Sequence, residues 1–76
     1  MTSAQLRAAR ALLRWTAEDL AQRAHVGVAT IRRAEAADGD IPMIPATESA
    51  VRAALEGAGV EFLDDGAATG VRLRRP

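Results

Sequence analysis

The sequence predicts a mostly α fold, with four helices followed by a C-terminal β-hairpin. Up to Ala58, apolar residues recur every three or four positions, as they do on the buried face of a helix. From Val60 onward the apolar spacing changes to alternation, which is typical of strands. Capping residues and prolines divide the helical part into four segments. The chain has 76 residues, which is enough for one domain.

The composition excludes several classes of protein without indicating a partner. With no cysteine and one histidine, the chain has neither a disulfide nor a thiolate metal site, and we predict no metal and no cofactor. The ten basic residues, all arginine, balance ten acidic residues to a net charge of zero. A nucleic-acid surface therefore requires uneven placement of the arginines. There is no apolar run of membrane-spanning length and no signal-peptide core, so we expect a cytoplasmic protein.

The first helix is predicted from Thr2 to Leu13. Thr2 and Gln5 have the spacing of a capping box, in which the two side chains satisfy free N–H groups of the first turn. The helix has an apolar arc formed by Leu6, Ala9, Leu12 and Leu13. A separate stripe is formed by Arg7, Arg10 and Arg14. This stripe is either solvated or in contact with a phosphate backbone or a partner.

Two short helices follow Trp15, which we expect at the edge of the core. A second capping box, Thr16–Asp19, opens a helix that ends near Ala24. The segment His25–Gly27 forms the turn, and a third helix is predicted from Val28 to Ala37.

Glycine and proline mark the limits of the fourth helix. Gly39 is suited to a left-handed cap at the end of the third helix. The segment Ile41–Pro45 is not expected to be regular helix, because each proline lacks an N–H group and restricts the residue before it. The fourth helix is predicted from Ala46 to Ala58, with Thr47 as its N-cap and Gly59 as its stop.

The last part of the chain is predicted to be a β-hairpin. Val60–Leu63 and Val71–Arg74 alternate as strands do, and a glycine-containing turn, Asp64–Gly70, joins them. We therefore divide the chain into a helical domain, residues 1–59, and a hairpin, residues 60–76. An isolated two-stranded hairpin is marginal in water, so this one must lie on the helices, pair with another chain, or both.

The second and third helices have the apolar pattern of two helices that cross at a tight turn. Six positions share it: Leu20, Ala21, Ala24, Val26, Ile31 and Ala34. Ala21 is small where the helices approach most closely, and Val26 and Ile31 fill the angle between them. The turn requires a residue with positive φ, and histidine, here His25, is among the residues enriched in that region. This arrangement is a helix-turn-helix, in which the second of the two helices enters the major groove of DNA.

An ordered set of residues resembles the lambda-repressor-like (Cro/C1, or XRE) DNA-binding family. The set comprises Leu6, Arg7, Thr16–Ala21, Val26, Thr30, Ile31, Glu35, Gly39 and Pro42. The resemblance extends from about Gln5 to Ala58. The opening RAARALLRW and the tail are similar to very short bacterial regulators of this type. The resemblance implies that residues 1–59 form a four-helix DNA-binding domain whose partner is double-stranded DNA.

Three positions depart from the usual pattern of this family. Family members usually carry glutamine, glycine and serine where this chain has Ala17, His25 and Gly27. The glutamine commonly reaches a base or a phosphate, and the serine hydroxyl caps the recognition helix. The resemblance also implies that Glu35 is a structural acid that pairs with Arg7.

We predict DNA contacts at the start of the second helix and on the third. The residues are Thr16, Ala17, Gly27, Val28, Ala29, Thr30, Arg32 and Arg33. Small apolar side chains there can contact thymine methyls, Arg32 can reach guanine or phosphate, and Arg33 is expected at phosphate. The alternative is that both arginines pair with Glu35, Asp38 and solvent.

These expectations predict a repressor-like transcriptional regulator that binds an inverted-repeat operator as a homodimer through its C-terminal hairpin. The alternative is a protein-binding module with the same fold, an antiactivator or an antitoxin subunit, which would have a protein partner. We predict no enzymatic activity and no catalytic residue, because no nucleophile or carboxylate has an evident activating arrangement with His25.

Overall fold

The computed structural model describes residues 1–75, and the predicted element order is confirmed. The helices are α1 (Ser3–Leu13), α2 (Ala17–Ala24), α3 (Val28–Ala36) and α4 (Pro45–Gly57), and the strands are β1 (Val60–Asp64) and β2 (Thr69–Leu73). Within this part of the chain no helix is long and apolar enough to cross a membrane.

The first helix begins as its capping residues predict. The Thr2 hydroxyl accepts from the Gln5 N–H at 3.0 Å, and the Gln5 side chain accepts from the Thr2 N–H at 2.9 Å. Leu6 and Ala9 are fully buried, but Leu12 is 41% exposed, so its assignment to the buried arc is wrong. Arg14 leaves the arginine stripe because it adopts the left-handed conformation as the C-cap, with φ 57°.

The segment between α3 and α4 differs from the sequence prediction at two caps. α3 ends in an extended residue, Ala37, so Gly39, with φ 74°, belongs to the following loop and is not the cap. α4 begins at Pro45 after the N-cap Ile44, and Thr47 is therefore not the N-cap. Proline is favoured at the first helical position, where its missing N–H would have no acceptor.

The hairpin shares the hydrophobic core of the helices. Its strands are antiparallel, with Phe62 opposite Val71. β2 packs along α1 and β1 packs against α4. Gly59 enters the hairpin with φ 108°, and a Cβ there would lie 3.3 Å from Leu73 Cδ1, so both the backbone conformation and the space favour glycine.

One core serves all six elements. It contains Leu6, Ala9, Leu20, Ala21, Ala24, Ile31, Ala34, Ile41, Val51, Leu55 and Val60. Trp15 is half-buried and packs against this core, at its edge as predicted. The segment 39–41, between α3 and α4, is attached to the start of α1, because the Ser3 N–H donates to the Gly39 carbonyl at 2.8 Å.

Candidate nucleic-acid interface

The N-terminus of α2 is held by a second reciprocal capping box. The Thr16 hydroxyl accepts from the Asp19 N–H at 3.0 Å, and the Asp19 carboxylate accepts from the Thr16 N–H at 2.9 Å. The Thr16 N–H, together with hydrogen bonding to the Thr16 side chain, lowers the pKa of Asp19. The first-turn N–H groups of Ala17 and Glu18 have no acceptor within the helix, because the residues one turn before them lie outside α2. This helix end can therefore bind an anion through its backbone.

The turn between α2 and α3 is built around His25. This residue is the C-cap of α2, in the left-handed conformation with φ 58°, as predicted. The Val26 N–H then donates to the Ala21 carbonyl at 3.0 Å, which closes the turn. Gly27 is the N-cap of α3 and provides no side-chain hydrogen bond. The first N–H groups of α3 are consequently open to solvent or to a ligand.

The exposed surface of α3 contains most of the predicted contact residues. Ala29, Arg32 and Arg33 are exposed. Thr30 is half-buried, and its hydroxyl lies 3.5 Å from an Arg33 guanidinium nitrogen, at the limit of a hydrogen bond. Val28 is half-buried and packs against the core, so it lies at the edge of this exposed surface.

An ion pair joins the start of α2 to α3. The Arg32 guanidinium donates to the Glu18 carboxylate, and both side chains are about three-fifths exposed, 60% and 62% respectively. This pair shows that the N-terminus of α2 and the outer face of α3 lie on one surface. The alternative drawn from the sequence, that Arg32 pairs with Glu35, Asp38 and solvent, did not include Glu18. No local spacing indicates this partner, because the two residues lie on different helices.

Glu35 is a structural acid, as expected, but its ion-pair partner is Arg10. Two guanidinium nitrogens of Arg10 donate to the two carboxylate oxygens of Glu35, at 2.7 and 2.8 Å. This hydrogen bonding is the largest cause that raises the pKa of Arg10. Arg7 donates to the backbone carbonyl of Glu35, so the prediction of an Arg7–Glu35 side-chain pair is wrong. Both arginines thus tie α1 to the end of α3 and are not free for DNA.

A cation of α2, Arg23, is held by an aromatic ring. The guanidinium carbon of Arg23 lies 4.3 Å from the centroid of the Trp15 ring. Such a cation–π contact holds the side chain of Arg23 while leaving its charge in place. The Trp15 carbonyl also accepts from Arg10 at 2.9 Å.

Comparison with protein families decides what kind of domain this is. Residues 3–65 match the sequence profile of a family described as a helix-turn-helix domain. The chain belongs to this family. It is a helix-turn-helix domain of the Cro/C1 (XRE-like) type, as the resemblance implied. No curated protein shows significant similarity to the chain.

The helix-turn-helix brings the predicted contact residues into two groups. The backbone group consists of Thr16, Ala17 and Gly27, at the N-termini of α2 and α3. The side-chain group consists of Ala29, Arg32 and Arg33, on the outer face of α3.

Proposed function

We propose that this helix-turn-helix domain is a sequence-specific DNA-binding transcriptional regulator of the repressor type. The observation that supports this most directly is the Glu18–Arg32 pair, because it places two kinds of DNA-binding group side by side. One is the N-terminus of α2, which can hold a backbone phosphate. The other is the outer face of α3, which would enter the major groove.

The contact residues have distinct proposed roles. Thr16, Ala17 and Gly27 act through the N–H groups at the starts of α2 and α3, where phosphate oxygens bind. Val28 contributes through its backbone, since its side chain packs inward. Ala29 contacts base edges such as thymine methyls.

The polar side chains of α3 provide the remaining contacts. Arg32 reaches guanine or phosphate, and Arg33 reaches phosphate. Thr30 either contacts DNA or caps α3 locally.

The regulator acts as a homodimer on an inverted repeat. Three of the four large apolar side chains that remain exposed lie on α1 and the hairpin, namely Leu12, Leu63 and Leu73. Leu63 and Leu73 lie on opposite faces of the hairpin, so a second copy that covers one face would bury one of these two leucines and gain stability from it. Two-fold symmetry is the commonest arrangement, and it would present two α3 helices to successive major grooves about 34 Å apart.

The outer edge of β2, which does not face β1, is the edge that we propose pairs between copies. Backbone hydrogen bonds join Arg74 to Gly59 at 2.9 Å and Asp65 to Ala68 at 3.2 Å. Since hydrogen-bonded pairs alternate along an antiparallel ladder, the backbone groups of Thr69–Leu73 that point outward belong to residues 69, 71 and 73.

Charge favours a register centred on Val71. Pairing Val71 with itself across a two-fold axis puts Arg74 of one copy opposite Ala68 of the other, beside the acidic turn that contains Asp65.

DNA binding is tested with purified protein and fragmented genomic DNA over a range of salt concentrations. We expect a salt-dependent complex and enrichment of an inverted repeat. Arg32→Ala should weaken operator binding by about 1–3 kcal/mol if the side chain reaches a base. Arg52→Ala is the matched control, because it removes the same charge from α4, which carries none of the contact residues. Absence of any salt-dependent complex at micromolar protein would disprove the proposed function.

The second candidate function is that of a protein-binding module, an antiactivator or antitoxin subunit. The exposed leucines on α1 and the hairpin favour it, as do the zero net charge and the absence of contact side chains at Ala17 and Gly27. Co-purification of a stoichiometric protein partner, without DNA binding, would support this function over the first.

A further inference from the structure

We infer that Glu18 limits DNA affinity by competing with DNA for Arg32. This inference rests on the proposed DNA-binding function. In the free protein the Glu18 carboxylate accepts from the guanidinium that would otherwise be the most central cation on α3. Contact with DNA therefore requires Arg32 to leave a partner already in place.

Glu18 can hold Arg32 because the neighbouring carboxylate, that of Asp19, forms the cap at the start of α2. The Asp19 carboxylate is committed to the Thr16 N–H at 2.9 Å in the capping box. The Glu18 side chain has no second hydrogen-bond partner among the described residues, and it is 62% exposed. Its one hydrogen-bond partner in that part of the chain is Arg32, so replacing Glu18 removes this pair and leaves the Thr16–Asp19 cap in place.

The pair lowers the affinity for any DNA that Arg32 contacts, because the Glu18–Arg32 contact must be broken first. A phosphate offers Arg32 an anion comparable to the carboxylate, so exchanging one for the other yields little free energy. A guanine in the right register offers two acceptors in a fixed geometry, which fits the guanidinium fork. The free energy lost with the ion pair is the same in both cases.

The Glu18 carboxylate also lies at the end of α2 that would face the phosphate backbone. While the pair is intact, the carboxylate offsets the charge of Arg32, so this part of the surface attracts phosphates less strongly.

The experiment measures binding of Glu18→Gln to a random-sequence 30-bp duplex by fluorescence anisotropy. Glutamine keeps the size of the side chain and removes the charge. We expect affinity to rise about two- to fivefold, the range that corresponds to an exposed ion pair. The slope of log K against log salt should steepen by about 0.9, because Arg32 now contacts one further phosphate.

Two further variants separate this inference from simpler explanations. Glu56→Gln makes the same change in net charge at an exposed ion pair on α4, where Arg52 is 3.6 Å away, and should alter affinity less than about twofold. Combining Glu18→Gln with Arg32→Ala tests whether Glu18 acts through Arg32. If Glu18 acts by holding Arg32, the gain from Glu18→Gln should disappear in the Arg32→Ala background.

Failure of the inference is distinct from failure of the proposed function. If wild-type protein binds DNA but Glu18→Gln behaves like Glu56→Gln, the inference is wrong. It is equally wrong if the gain persists without Arg32, because Glu18 then acts only by repelling phosphates. If neither the wild type nor Glu18→Gln binds DNA, both the proposed function and the inference are wrong.

Discussion

Glu35 connects α1 and α3 through both its side chain and its backbone. Its carboxylate accepts two hydrogen bonds from Arg10, and its backbone carbonyl accepts one from Arg7. The carboxylate is 12% exposed, so solvent replaces little of the interaction if the guanidinium is lost. Parallel N–H···O bonds of this kind are stronger than neutral ones and fix orientation as well as distance. The pair therefore sets where α3 lies on α1, and with it the position of the whole recognition surface.

Replacing Glu35 with alanine should lower the free energy of unfolding by about 2 kcal/mol, because Arg10 is left part-buried without its anion. Urea denaturation followed by circular dichroism measures this. Glu56→Ala is the control, since it removes an exposed helical pair that contributes less than about 0.5 kcal/mol. Equal effects of the two substitutions would show that the Arg10–Glu35 pair is not structural.

At the scale of elements, the hairpin depends on the helix that it packs against. The Gln5 side-chain amide donates to the Leu63 carbonyl at 3.0 Å and to the Gly70 carbonyl at 2.9 Å. These two residues face each other across the hairpin, so one side chain holds both strands. The same side chain accepts from Thr2 in the capping box of α1. Gln5 thus joins the start of the first helix to the last element of the chain.

Replacing Gln5 with alanine should lower the free energy of unfolding by about 2–3 kcal/mol, because two strand carbonyls and one helix N–H lose a partner in a buried position. Hydrogen exchange should show faster opening of β1 and β2 than of α2 and α3. Gln22→Ala removes an exposed glutamine from α2 and should change little. Unaltered exchange in the hairpin would contradict the proposed anchoring.

At the scale of the whole molecule, the recognition surface and the pairing edge involve different elements. The proposed DNA contacts lie on α2 and α3, whereas the proposed pairing edge is that of β2. Both are attached to one core through α1, so a dimer formed at β2 would present its two α3 helices in a fixed relation. A regulator of this size then reads a longer DNA site than one domain can cover.

Single cysteines test the proposed pairing, because the chain has none of its own. In a register centred on Val71, Val71→Cys should form a disulfide-linked dimer under mild oxidation, since it faces itself at about 5.5 Å between Cα atoms. Thr69→Cys and Leu73→Cys should cross-link when mixed, but not singly. Non-reducing gel electrophoresis measures both results.

The matched control for this test lies on the other strand. Asp64→Cys and Val60→Cys occupy the β1 positions opposite Thr69 and Leu73, and their mixture should not cross-link. Efficient cross-linking through β1, or of Thr69→Cys with itself, would exclude the proposed register. Size-exclusion chromatography of wild-type protein showing only monomer at high concentration would exclude the dimer itself.

The sequence by itself determined the elements whose stability is local. The two capping boxes at Thr2 and Thr16 and the left-handed turn at His25 were predictable, because each involves residues at most a few positions apart. The alternation after Val60 likewise predicted the hairpin. Apolar spacing identified the buried residues of α2 and α3, since one face of each short helix must meet the core.

Only the tertiary structure decided which distant partners meet. Arg7 and Arg10 lie one turn apart on the same helix, so sequence spacing did not distinguish which of them reaches Glu35. The Glu18–Arg32 pair and the attachment of the hairpin to Gln5 likewise depend on how whole elements pack. The physical reason is that hydrogen bonds within a turn are set by backbone geometry, whereas contacts between elements depend on the angles and depths at which those elements share one core.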